Sequence, residues 1–88
     1  YFSTGELNFE IHNTGALLDT LANEFNDQDQ DTLDGLTVSS KDWWFNLRLS
    51  NTEPLIRLNL EAKSEIIRNE KLKFLKEIIS DFRSSDAK

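Results

Sequence analysis

The chain has 88 residues, enough for one small domain with little room for a deep catalytic pocket, since a domain this size buries only roughly 60–65% of its unfolded surface. It contains no cysteine, which excludes disulfides, zinc–thiolate sites and thiol nucleophiles and is compatible with a reducing, cytoplasmic setting. Sixteen acidic against ten basic residues give a formal charge of −6, which argues against a nucleic-acid partner, and no run approaches the ~20 apolar residues of a membrane span.

From Glu6 to His12 the chain alternates, with Leu7, Phe9 and Ile11 on one side, the period of a half-buried strand. Asn13 or Thr14 can cap a helix whose apolar stripe is Leu17, Leu18, Leu21 and Phe25. Residues 26–34 are polar and acidic and read as a loop. Leu36 and Val38 then mark a short strand, residues 39–42 a turn, and Trp43–Leu49 a second strand with Trp43, Phe45 and Leu47 on one face. Four polar residues and the single proline, Ser50-Asn51-Thr52-Glu53-Pro54, interrupt the pattern. It resumes over Leu55–Ala62, with Ile56, Leu58, Leu60 and Ala62 on one side. Ser64 can cap a final helix whose stripe is Ile67, Phe74, Leu75, Ile78, Ile79 and Phe82, and Ser84–Lys88 reads as a frayed tail.

Strands with one apolar face and helices with one apolar stripe predict an α+β, two-layer sandwich. Four mostly antiparallel strands would carry both helices on one face. Residues 1–88 form a single domain in this reading. The chain has no methionine and begins Tyr1-Phe2-Ser3-Thr4-Gly5, which reads as a piece excised from a longer protein.

The first 40 residues contain no lysine or arginine, and from Lys63 onward the basic residues lie mainly on the last helix, as a solvated face. Arg48 and Arg57 stand apart, flanking the irregular polar segment. That segment has the inventory a phosphate dianion requires. Arg48 is a planar bidentate donor, Ser50 and Thr52 carry hydroxyls and Asn51 an amide. A tight turn can also aim several backbone N–H groups at one point. Pro54 restricts the turn, and Glu53 is the discordant member, within reach of Arg57. The same residues also suit a plain turn between strands.

The run Trp44–Ala62, and Arg48-Leu49-Ser50-Asn51-Thr52-Glu53-Pro54 above all, resembles the phosphate-binding segment of the α-D-phosphohexomutases, in the phosphomannomutase/phosphoglucomutase branch. Ser3-Thr4-Gly5-Glu6-Leu7-Asn8-Phe9 is similar to the opening of that family's last domain, and Leu33-Asp34-Gly35-Leu36 to its Asp-Gly-containing second strand. Leu49 departs from the small residue or proline of most members. Asn51 stands where the phosphoglucosamine mutase branch has glycine, which tilts the resemblance toward mannose or glucose phosphates.

The resemblance implies the fourth, C-terminal domain of a four-domain isomerase, with a TATA-binding-protein-like fold. A phosphoserine, the aspartates that hold Mg²⁺ and a sugar-reading loop would lie in the other domains of the same polypeptide. Arg48, Ser50, Asn51 and Thr52, with Arg57 as a weaker candidate near Glu53 and Glu61, would hold the non-reacting phosphate of a mannose or glucose 1-/6-phosphate. The isolated domain would be inactive, holding neither catalytic residues nor a metal. Other features carry less. Asp27, Asp29 and Asp31 begin like a calcium loop, but Thr32 stands where that loop needs glycine and Val38 where it needs glutamate. His12, the single histidine, has no partner for a triad. Trp44 shares a face with Arg48, with cross-strand packing as its default role. The alternatives are a phosphoglucosamine mutase domain, a stand-alone module binding through an open sheet face, and an interaction domain without a ligand.

Overall fold

Every strand but the shortest presents apolar side chains to one side, and two amphipathic helices close over that side. A computed structural model describes residues 1–11, 14–32, 35–50 and 54–86, with side chains as far as Phe82. The elements are β1 (Phe2–Glu10), α1 (Thr14–Glu24), β2 (Asp29–Asp31), β3 (Leu36–Ser39), β4 (Trp43–Leu49), β5 (Leu55–Ala62) and α2 (Glu65–Asp86). The strands form one antiparallel sheet in the order β1-β5-β4-β3-β2. β1 and β2 therefore lie at opposite edges, and α1 carries the chain from one to the other.

The core is the inner face of β3, β4 and β5 sealed by both helices. Leu36, Val38, Phe45, Leu47, Ile56, Leu58, Leu60 and Ala62 meet Leu17 and Leu21 of α1 and Leu75 and Ile79 of α2, all essentially inaccessible to water. Each of the leucine, isoleucine, valine and phenylalanine side chains among them contributes about 1.5–3 kcal/mol by leaving water. Ser64 caps α2 by accepting a hydrogen bond from the Ile67 N–H at 3.1 Å, which satisfies a first-turn amide that has no partner within the helix. α2 includes Ser84–Asp86 of the segment expected to fray.

Three expectations need correction. The sheet has five strands, not four. Asp29–Asp31 is a fully exposed edge strand within the segment expected to be a loop, paired in register with Thr37–Ser39. No apolar alternation announces it, because its partner's backbone and one side chain hold it. Gln30 donates from its amide nitrogen to the carbonyl oxygens of Ala22 and Phe25, at 2.8 and 2.7 Å, tying β2 to the end of α1. β1 also begins at Phe2 rather than Glu6, passing through a register shift between Ser3 and Glu6. Gly5, at φ 69°, and Thr4, whose hydroxyl accepts from the Leu60 N–H at 3.3 Å, accommodate the extra residue. Finally, Phe74 is a partly exposed member of the α2 stripe, edge-on to Phe25 at 5.8 Å between ring centres.

Candidate functional site

The face of the sheet away from the helices is polar. Asn8 of β1, Arg57 of β5 and Arg48 of β4 form one row across three strands, because Asn8 pairs with Arg57 and Arg57 with Arg48. The next row along the strands is Glu6, Asn59, Asn46 and Thr37, in which Asn46 donates from its side-chain nitrogen to the Thr37 hydroxyl at 2.8 Å. Beyond it lie Ser3, Glu61, Trp44 and Ser39. Among the described residues, the two arginines are the only lysines or arginines in a strand. They lie directly opposite each other, both exposed, and among the described residues neither guanidinium pairs with a carboxylate.

Like charges placed opposite each other on an antiparallel pair destabilise it, by about 0.2–1 kcal/mol. The charge of a guanidinium cannot be relieved by deprotonation. An anion with two or more acceptor oxygens turns this repulsion into two converging charge-assisted contacts.

The base of the β4–β5 connection is fixed from two sides. The Ser50 N–H donates to the Leu55 carbonyl oxygen at 3.1 Å, extending the ladder one step beyond the strands. The Ile11 N–H, just past β1, donates to the Pro54 carbonyl oxygen at 2.7 Å, and Ile11 is itself buried in the core. The two ends of the connection are thus held at the mouth of the arginine row.

Of the residues expected at the site, Arg48 and Arg57 are brought together on the uncovered face and Ser50 lies half-buried two residues beyond Arg48. Asn51, Thr52 and Glu53 lie outside the described residues, as does His12. Arg57 does not pair with Glu61. They are four residue steps apart, about 13 Å along β5, and Glu61 stands opposite Trp44 instead. Trp44 is by the same measure about 13 Å from Arg48 along β4, half-buried between Ser39 and Glu61. Asn8 was missed as a neighbour of the site. Its signal was its place on the polar side of an alternating strand, which does not reveal which residue of another strand it faces.

The family model for the phosphoglucomutase/phosphomannomutase C-terminal domain matches residues 6–73. The chain belongs to this family. It is 40% identical over 85 residues to a phosphomannomutase of Methanocaldococcus jannaschii, covering 97% of this chain and 19% of that protein. It is 46% identical over 48 residues to a phosphoglucosamine/phosphogalactosamine mutase of Sulfurisphaera tokodaii, covering 54% of this chain and 10% of that protein. Among solved structures, a phosphoglucomutase/phosphomannomutase family protein from Burkholderia thailandensis superposes with a TM-score of 0.70 at 27% identity, over 93% of this chain and 18% of that one. The chain therefore spans less than a fifth of the length of these relatives. No helix among the described residues is long and apolar enough to cross a membrane.

Proposed function

We propose that this domain grips the non-reacting phosphate of a hexose phosphate within a longer phosphomannomutase/phosphoglucomutase. The observation that carries the reading is the register of β4 and β5, which sets Arg48 against Arg57 beside the Ser50–Pro54 connection. In this reading the Arg48 fork takes two phosphate oxygens. The Ser50 and Thr52 hydroxyls and the Asn51 amide donate to the remaining acceptor positions, and Arg57 adds charge from the adjacent strand. The domain performs no bond-making itself and is inactive alone. A phosphoserine of another domain passes its phosphoryl group to the free sugar hydroxyl, which the gripped phosphate holds in place. The resulting bisphosphate turns around, the loop grips the newly formed phosphate, and the substrate's original phosphoryl group passes to the serine. Energy from a remote contact accelerates transfer only through such positioning.

The reaction is then 1-phosphate/6-phosphate interconversion of mannose or glucose in the cytoplasm, with Mg²⁺ held by aspartates outside this chain. We read the two-layer arrangement as TATA-binding-protein-like. A hexosamine phosphate is the second reading, favoured by the similarity to the Sulfurisphaera mutase.

The test is a ¹H–¹⁵N NMR titration of the 88-residue chain with mannose 1-phosphate, taken well above the ~1 mM dissociation constant that ~4 kcal/mol of binding corresponds to. Shifts centred on residues 48–57 support the reading. Shifts confined to other regions, or none, reject it.

A further inference from the structure

A third element touches the arginine row from the side opposite β5. Gly35 immediately precedes β3, at φ 100°, and lies against the backbone of Leu47 and Arg48. A Cβ built there would overlap the Leu47 carbonyl oxygen and stand 3.2 Å from the Arg48 Cα. The atoms it meets are backbone, which cannot swing aside as the end of a long side chain can. An ordinary carbon–oxygen contact of about 3.3 Å would require the two segments to separate by about 1 Å.

Which segment yields follows from what anchors each. Leu36, the next residue after Gly35, is 1% exposed in the core and pairs with Leu47. Leu47 is fully buried and also pairs with Leu58, so it is held on both sides. Neither can retreat without drawing an apolar side chain out of the core. Arg48 and Leu49, by contrast, are exposed at the end of β4, and the connection follows at once. The displacement is therefore taken up at Arg48.

We propose that Gly35 is a positioning residue for phosphate binding: its missing side chain lets β3 close onto β4 and sets the direction in which Arg48 leaves the sheet. This rests on the phosphate-gripping reading of Arg48. Misplacing a binding group by about 1 Å can cost as much as 10²-fold. Gly35 touches no ligand in this account and acts only through the Arg48 backbone.

The test compares inorganic phosphate binding by the wild-type chain, Gly35→Ala and Val38→Ala, followed by NMR at residues 48–57. Val38 is a buried residue of the same strand, facing Phe45, so its truncation lowers stability without touching Arg48. Gly35→Ala is expected to weaken phosphate binding by about tenfold or more and to shift the Arg48 amide in the free protein. Val38→Ala is expected to bind as the wild type does. Leu36→Val, which shortens the anchor behind Gly35 by one methylene, is expected to weaken binding a few-fold and carries the test if Gly35→Ala does not fold. Wild-type affinity in Gly35→Ala, or in Leu36→Val where that variant carries the test, overturns the positioning role while leaving the phosphate site intact. Absence of phosphate shifts in the wild type overturns the site itself, and the positioning role with it.

Discussion

The two ends of the sheet are built on opposite terms. Where β4 begins, everything is closed. Trp43 stacks on Phe45 at 6.0 Å with 6° between the planes, and Phe25 meets both edge-on at 5.5 and 5.3 Å. The Lys71 ammonium sits 4.9 Å from the centre of the Trp43 ring. The Lys63 N–H donates to the Asp42 carbonyl oxygen at 2.9 Å, and their side chains come within 3.9 Å. Where β4 ends, Ile56 opposite its last residue is still buried, but the strand's own terminus is open to solvent. Leu49 is 40% exposed although it belongs to the inward-facing set, and two guanidinium groups face each other across the ladder. One end satisfies its groups internally, whereas the other leaves cations to be satisfied from outside. In the proposed reading, stability and binding are separated along a single strand.

The strongest way to break that separation is at the closed end. Phe45→Ala is expected to destabilise the domain by about 3–5 kcal/mol, as for other buried aromatic truncations, read by urea denaturation. At temperatures where the variant is folded, phosphate-induced shifts at residues 48–57 should survive. Their loss would mean the two ends are coupled.

At the open end, Arg48→Ala in the full-length enzyme should lower kcat/KM by roughly 10–100-fold, a net loss of about 1.5–3 kcal/mol for its charge-assisted contact with phosphate. The melting temperature of the domain should not fall with it. Unchanged steady-state kinetics would remove Arg48 from the site. Back at the closed end, Ser64→Ala removes the α2 cap and should cost about 1 kcal/mol of stability, with phosphate affinity untouched. The smallest effect has the opposite sign. Arg57→Thr relieves the like-charge pairing and should raise the stability of the unliganded domain by about 0.2–1 kcal/mol, in low salt where screening is weak, while phosphate binding weakens. A loss of stability would show that Arg57 has a compensating partner.

How much of this was legible beforehand depends on which interaction decides each element. Alternation sorted β3, β4 and β5 into their faces because half of each strand is buried against helices, and Ser64 declared itself because capping is a local contact. β2 was not legible, since three exposed polar residues form a strand only by borrowing the outer edge of β3 and the Gln30 contacts to α1. The start of β1 was hidden by the register shift at Thr4 and Gly5, which interrupts the period. At the site, the resemblance brought Arg48 and Ser50 forward as residues, but the opposition of Arg48 to Arg57 belongs to strand register. The approach of Gly35 to Arg48 belongs to tertiary packing, and no spacing within one segment encodes it.

The two outer strands of the sheet answer a hazard that every open sheet carries. Unpaired backbone donors and acceptors along a rim are a template on which another chain can add a strand. β2 offers only three residues, two of them aspartates. β1 offers nine, but the irregularity at Ser3–Glu6 breaks its hydrogen-bonding repeat partway along. An incoming strand would find too short a ledge on one rim and a kinked one on the other, so the fold resists fibril-like growth while keeping its polar face open to solvent.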